Sequence, residues 1–173
     1  MNKVVIEIPA LWWHIVDELP EKLSERSINS WSSKAGILGE LAVVQYFNAE
    51  GIDYEYVAQD DFSCDLICNG RKVDVKTTER RGFASDLNNA LLTDYQKEQD
   101  CDTYIFTSIP KDKGLVEIVG YCDKKWFWSN NYARDLEAGE KVAVTAVKEP
   151  CRILKYGYLA DIYQIGSVLR DYH

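Results

Sequence analysis

The chain has 173 residues, 46% hydrophobic and 28% charged, which is enough to bury a core and suits one compact domain over residues 1–173. Its formal net charge of −8 and pI near 4.8 exclude a protein that coats nucleic acid through overall attraction, so any nucleic-acid site must be local. No apolar run reaches the roughly 18 to 20 residues that span a bilayer, which predicts no membrane partner.

The cysteines and the N-terminal residues indicate the cellular compartment of the protein. The five cysteines are an odd number without Cys-x-x-Cys spacing, and they predict buried free thiols rather than disulfides or a zinc site. The first residues, MNKVVIEIPALWW, lack a signal-peptide cleavage pattern. Together these features favour a cytoplasmic protein.

The predicted elements begin with a strand at Val4 to Ile8 and a helix from Ala10 to about Arg26, which Pro20 breaks or restarts. A second helix is predicted from Lys34 to Glu50, followed by Gly51 as its stop signal. The apolar residues at helical spacing in this segment are Ile37, Leu38, Leu41, Ala42, Val44 and Phe47.

Strands are predicted next at 54–59, 63–68 and 71–78, then a helix from Ser85 to about Asp100 and a strand TYIFTSI. The segments LVEIVGYC, WFW, KVAVTAV and RILKYGYLADIYQI complete the chain. This order predicts an α/β (α+β) fold in which helices flank a mixed central sheet.

The stretch CDLICNGRKVDVKTT contains a hairpin signal, Asn69-Gly70, since a type I′ turn needs positive φ at both central residues. A two-residue loop would place Asp65 directly opposite Asp74. Because side chains alternate along a strand, Asp65, Asp74 and Lys76 would share one face, with apolar residues on the other. The spacing therefore predicts two carboxylates and an ammonium group close together.

Two carboxylates on facing residues, with Cβ atoms about 5 Å apart, repel by on the order of 3 kcal/mol at an effective dielectric of 20. A shared proton, the Lys76 ammonium or a divalent cation could each compensate, or both acids could face solvent on an exposed hairpin. Glu40 argues against the solvent-exposed alternative. It lies within the apolar stripe of its helix, where a buried acid needs a partner.

Glu40, Asp65, Asp74 and Lys76, in this order, resemble the active-site residues of the PD-(D/E)XK nuclease superfamily. The core of that superfamily is a helix, a β-meander, a second helix and a further strand, which implies a restriction-endonuclease-like core here. The likeness covers residues 34 to about 109, leaving 1–33 as an N-terminal extension and 110–173 as C-terminal strands and a helix. Cys64 stands where the motif has its proline.

The resemblance implies a role for each residue. Asp65 and Asp74 would bind Mg²⁺ or Mn²⁺, with the Val75 carbonyl as a further ligand. Glu40 would bind a second metal or orient ligands through water, and Lys76 would position or help to deprotonate the attacking water. These roles match what phosphodiester hydrolysis requires.

A local excess of basic residues marks the region where a phosphate backbone could approach. Between Arg71 and Arg81, five basic residues stand against two acidic ones, a local charge of +3 in a chain of net −8. An ordinary solvated loop is the alternative. The candidate nucleic-acid-binding residues are Lys72, Thr77, Arg80, Arg81 and Gln96, the last because related nucleases often place a glutamine near the site.

These features together predict a metal-dependent deoxyribonuclease. The alternatives are a non-catalytic nucleic-acid-binding or assembly subunit with the same fold, and a hydrolase that uses paired carboxylates as acid and base. The preference for DNA over RNA, endonuclease or exonuclease action and a homo-oligomeric state are all left open by the sequence.

Overall fold

The computed structural model describes residues 2–18, 30–57, 64–142 and 145–170, and of residues 30–33 the backbone alone. Its helices are α1 (Ala10–Glu18), α2 (Ser30–Glu50), α3 (Lys124–Ser129) and α4 (Ile165–Arg170). Short 3₁₀ turns occur at Asp94–Lys97, Tyr156–Tyr158 and Ile162–Gln164.

The strands form one central sheet and two small ones. They are β1 (Val4–Glu7), β2 (Glu55–Tyr56), β3 (Leu66–Cys68), β4 (Arg71–Arg80), β5 (Asn89–Thr93), β6 (Thr103–Pro110), β7 (Leu115–Asp123), β8 (Arg134–Leu136), β9 (Lys141–Val142), β10 (Thr145–Ala146) and β11 (Cys151–Lys155). The central sheet has the order β1-β7-β6-β4-β3-β2, the second sheet is β5-β11-β8, and β9 pairs with β10.

The central sheet is mixed. The pair β4 and β6 is parallel, while the other neighbours in this sheet are antiparallel. The predicted α/β class with a mixed central sheet is therefore confirmed. A parallel pair also requires a crossover connection between its strands, and here residues 81–102 supply it.

The helix predicted from Ser85 to Asp100 is wrong. This segment contains β5 and a single 3₁₀ turn, and its side chains alternate as in a strand, with Ala90 and Leu92 buried and Leu91 exposed. The cause is tertiary, because β5 pairs along its whole length with β11, about 60 residues further along the chain.

The two faces of the central sheet are covered differently. Helices α1, α2 and α4 pack on one face, where Phe47 and Leu169 join Val75 and Ile105 in the core. The small β5-β11-β8 sheet and α3 pack on the other face, against Tyr104, Phe106 and other residues. The segment predicted as a helix from Ser85 to Asp100 thus contributes strand β5 to the small sheet on this face.

Other predicted elements are confirmed within the described residues. The first strand is present, the first helix begins at Ala10 as predicted, and α2 ends at Glu50 as predicted but begins at Ser30 rather than Lys34. Residues 19–26 of the first predicted helix lie outside the described ranges, as do residues 58, 59, 63, 143 and 144 of the predicted strands. All five cysteines are free and buried, as predicted. None of the helices in the described ranges is long and apolar enough to cross a membrane.

Candidate active site

The predicted hairpin forms with the expected turn. Asn69 and Gly70 have φ values of 48° and 80°, the positive values that a type I′ turn requires. The ladder pairs Cys68 with Arg71, Ile67 with Lys72 and Leu66 with Val73, which confirms the predicted register. The hairpin therefore places the Asp74 and Lys76 side chains, both on β4, on the same face of the central sheet.

Asp65 departs from the predicted pairing. It stands one residue before β3, and its backbone N–H donates to the Val73 carbonyl at 2.9 Å. Its carboxylate Oδ2 accepts a hydrogen bond from the Val75 N–H at 2.6 Å. The regular ladder thus ends before the expected pair of Asp65 with Asp74, yet the two carboxylates still interact, since the charge of Asp74 helps to raise the pKa of Asp65.

Asp74 and Lys76 form a buried ion pair. Asp74 is 4% exposed, and Lys76 Nζ lies 2.5 Å from its Oδ2. Lys76 Nζ also donates to Gln99 Oε1 at 3.1 Å. The ammonium group is therefore held between a carboxylate on its own strand and a neutral amide oxygen on the crossover.

Glu40 reaches this cluster because α2 packs unusually close to the sheet. A Cβ atom on Gly39 would lie 2.0 Å from Thr77 Oγ1, so only glycine permits this approach. The next residue, Glu40, then lies beside the middle of β4, and its Oε2 accepts a 2.5 Å hydrogen bond from the Tyr56 hydroxyl. The described part of β3 pairs only with Arg71–Val73, which leaves this side of β4 accessible to the glutamate.

The three carboxylates interact electrostatically, and burial raises the pKa of each. The pKa of Asp65 is raised to about 8, first by burial and then by the charges of Glu40 and Asp74, against the opposing effects of the Val75 N–H and Lys76. Burial also raises the pKa of Glu40, which the Tyr56 hydrogen bond opposes. The pKa of Asp74 is raised by burial despite Lys76 and the hydrogen bond with Asp65.

Two of the compensations that the sequence left open are thus present in the structure. The Lys76 ammonium neutralises Asp74, and the raised pKa of Asp65 favours a proton held within the cluster at neutral pH. Acids that merely face solvent on an exposed hairpin would have neither feature. The alternative of a solvent-exposed acid pair is therefore wrong.

The donor set suits a hard divalent cation, although it is not arranged around one. Within the described ranges, no group of three or more His, Cys, Asp or Glu side chains is positioned to hold a metal ion. Asp74 Oδ2 is buried and contacts Lys76 as an ion pair, but it accepts no hydrogen bond of good geometry, so it keeps capacity for a ligand. Oxygen donors alone are the ligand chemistry that Mg²⁺ and Mn²⁺ prefer.

A chelator-treated sample is expected to lose stability as the pH rises from about 5 to about 9. Between its ordinary pKa of 3.8 and its folded pKa of about 8, Asp65 binds a proton in the folded protein that the unfolded chain has released. The unfolded state then binds fewer protons, so the free energy of unfolding falls with rising pH. Urea denaturation in EDTA at several pH values measures this slope.

The Asp65→Asn variant is the control for that slope, because self-repulsion in an acidic chain also grows with pH. The variant should show a flatter dependence over the same range. Equal slopes for the two proteins would show that Asp65 does not hold a proton in the folded state.

The structure does not bring the predicted nucleic-acid-binding residues together at the cluster. Lys72 forms a surface ion pair with Asp100, and Thr77 accepts a hydrogen bond from Thr107 beneath α2. Arg80 donates to the Asn89 carbonyl and to the Tyr156 hydroxyl, so its guanidinium anchors β5 to β4.

The other two candidate nucleic-acid-binding residues, Arg81 and Gln96, have different surroundings. Arg81 is exposed just beyond the end of β4. Gln96 accepts a hydrogen bond from the Thr93 N–H at 2.8 Å and so caps the 3₁₀ turn. Nucleic-acid binding by these residues stays a prediction, as does the Val75 carbonyl as a metal ligand.

Sequence reasoning missed three residues around the cluster. Tyr56 donates a hydrogen bond to Glu40, and Gln99 accepts one from Lys76. Lys124, at the start of α3, donates a hydrogen bond to the Gln99 carbonyl. Each contact joins residues 16 or more positions apart, so no local pattern could have indicated it. A glutamine after β4 was expected near the site, and Gln99 rather than Gln96 occupies that place.

Comparison with protein-family models, with curated proteins and with solved structures finds no significant match to this chain. Function is therefore inferred from the arrangement of the residues themselves.

Proposed function

We propose that the protein is a metal-dependent nuclease that hydrolyses DNA phosphodiester bonds. The observation that carries this proposal is the gathering of Glu40, Asp65 and Asp74 into one carboxylate cluster beside Lys76. These residues come from a helix, a loop and a strand, and burial raises the pKa of each, which favours a proton or a cation at the cluster. Such clusters are a frequent feature of functional sites.

The carboxylates would hold the metal ion that the resemblance to PD-(D/E)XK nucleases implies. Asp65 and Asp74 would bind Mg²⁺ or Mn²⁺, with the Val75 carbonyl as a further ligand and Glu40 bound directly or through water. When bound, such an ion lowers the pKa of water and stabilises negative charge on phosphate oxygens.

The residues of the chain itself supply the positioning. Lys76, already placed at the cluster by Asp74 and Gln99, would orient the attacking water and offset the charge that develops on the phosphate. Tyr56 holds Glu40 in a single orientation through a 2.5 Å hydrogen bond. Asp65 is held by the Val75 N–H, so each acid has a fixed support.

The charge distribution limits how the substrate could bind. Because the net charge is −8, the attraction for DNA would have to be local, and the segment from Arg71 to Arg81 has the local charge of +3 that supports it. The five buried free thiols suit a reducing compartment, which supports a cytoplasmic location.

The wild-type protein is expected to cleave DNA in Mg²⁺ or Mn²⁺ and not in EDTA. The Lys76→Met variant, which keeps the apolar stem and loses the charge, should cleave about 10²- to 10³-fold more slowly. Gel assays with circular duplex, linear duplex and single-stranded DNA, and with RNA, measure the rate and the preferred substrate. Lys125→Met, at an exposed lysine of α3, is the matched control and should keep the wild-type rate.

Cleavage by Lys76→Met at the wild-type rate would contradict the assigned role of the lysine. Cleavage of RNA alone would correct the substrate class. Absence of cleavage in either metal would contradict the nuclease proposal.

One observation favours a second candidate, a non-catalytic nucleic-acid-binding subunit. The ion pair of Lys76 with Asp74, and the lack of a preformed metal-binding group within the described ranges, would also suit a fold that has lost catalysis. DNA binding that is unaffected by EDTA, without cleavage in any metal, would select this function.

A further inference from the structure

Lys76 has a second hydrogen-bonding partner besides Asp74. Its Nζ donates to Gln99 Oε1 at 3.1 Å in addition to its contact with Asp74. A lysine side chain has a flexible four-carbon stem, so the position of its ammonium group depends on such contacts. Two acceptors on different segments define that position far better than one.

Gln99 is itself held in place by the segment around it. Its carbonyl accepts hydrogen bonds from the Lys124 side chain and from the Cys101 N–H. The Lys124 backbone N–H donates to the Asp102 carbonyl at 2.9 Å, and the Asp102 N–H donates to the Lys72 carbonyl at 2.8 Å. Residues 99–102 are thus tied both to α3 and to the beginning of β4.

The side chain of Gln99 is a neutral hydrogen-bond acceptor, which distinguishes it from the other partner of Lys76. An amide oxygen accepts a hydrogen bond without neutralising the ammonium charge, whereas Asp74 pairs with that charge directly. A cation bound by Asp74 would compete with Lys76 for the same carboxylate. Gln99 is then the partner that continues to hold the ammonium group.

We propose that Gln99 is a positioning residue that holds the Lys76 ammonium group for attack on a nucleic-acid phosphate, and that Lys124 locks the segment carrying it. This inference rests on the nuclease function proposed above. Neither residue need touch the substrate, since both act through Lys76.

The test compares Gln99→Met with Gln164→Met. Gln99 contacts Lys76, whereas Gln164 is an exposed glutamine of the last 3₁₀ turn and has no part in the proposed site. In Mg²⁺ with the DNA form that the wild type prefers, Gln99→Met should lower kcat about 10- to 100-fold with KM little changed. Gln164→Met should keep the wild-type kcat.

Lys124 gives a second comparison. Lys124→Met removes the donor to the Gln99 carbonyl and should lower kcat, whereas Lys124→Arg keeps a donor and should restore most of it. Equal kcat values for Gln99→Met and Gln164→Met, or for the two Lys124 variants, would overturn the corresponding part of the proposal.

A measurement without substrate separates failure of this inference from failure of the nuclease function. In protein labelled with ¹⁵N-lysine, a held ammonium group exchanges its protons slowly and gives a sharp NMR signal. The Lys76 signal should be sharp in wild type and Gln164→Met and broadened in Gln99→Met. An unchanged signal in Gln99→Met would overturn the positioning role, while a wild type that shows this pattern but cleaves nothing would contradict only the nuclease function.

Discussion

Replacing Asp65 with asparagine is expected to abolish metal-dependent cleavage and, at the same time, to stabilise the metal-free protein. The rate should fall by about 10³-fold, because a neutral amide is a poor ligand for a hard cation. At pH 8 in EDTA the free energy of unfolding should rise by on the order of 1 kcal/mol, which is roughly 2 to 4 °C in melting temperature.

The opposite signs of the two effects follow from the local contacts. In the Asp65→Asn variant, the asparagine side chain would still offer an oxygen to the Val75 N–H. The substitution removes the cost of ionising a buried acid whose pKa is raised to about 8. A catalytic site often keeps such a destabilising charge because function requires it.

The matched control is Asp100→Asn. The Asp100 side chain is 76% exposed and forms a surface ion pair with Lys72, so its loss should change neither cleavage nor stability appreciably. Calorimetry in EDTA and a cleavage assay in Mg²⁺ measure both effects on the same preparations. If Asp65→Asn were less stable than wild type, Asp65 would be a structural residue, and its place in the proposed site would be wrong.

Replacing Gly39 with alanine is expected to be among the most damaging single changes in the protein. The new Cβ atom would lie 2.0 Å from Thr77 Oγ1 and 2.7 Å from Thr107 Oγ1, so α2 must move away from β4. Overpacking of this kind costs about 1 to 3 kcal/mol, and the two close contacts place Gly39→Ala at the upper end. Because Glu40 follows directly, cleavage should also fall in the fraction that remains folded.

Gly36→Ala provides the control on the same helix. A Cβ atom on Gly36 would meet only Glu40 Oε1 at 3.9 Å, an ordinary contact, and alanine favours a helix by up to about 1 kcal/mol over glycine. Gly36→Ala should therefore be neutral or stabilising in urea denaturation. A Gly39→Ala protein as stable as Gly36→Ala would show that α2 does not need its close approach to β4.

A double substitution tests whether Thr77 is the cause of the clash. Thr77→Ala removes the nearest atom, so Gly39→Ala should cost less in that background than in the wild type, and the two effects should not add. Additive effects would place the clash elsewhere.

Local patterns in the sequence were enough to predict the elements that carry the site. The Asn69-Gly70 turn set the register of β3 and β4 because positive φ at two successive residues permits few other structures. The apolar spacing of α2 predicted that Glu40 faces inward, and the alternation along β4 placed Asp74 and Lys76 on one face. The mixed sheet followed from the order of these elements.

The tertiary structure decided what depends on distant partners. Segment 85–100 contains a strand rather than a helix because β11, far along the chain, offers an edge that buries Ala90 and Leu92. Asp65 lies outside the regular ladder, and its carboxylate accepts a hydrogen bond from the Val75 N–H. Tyr56 and Gln99 reach the site only through folding, since hydrogen bonds between residues remote in sequence leave no periodic signal. The sequence by itself thus determined that Asp74 and Lys76 share a face of β4, and the packing of distant segments decided how Glu40, Asp65 and Lys76 are held.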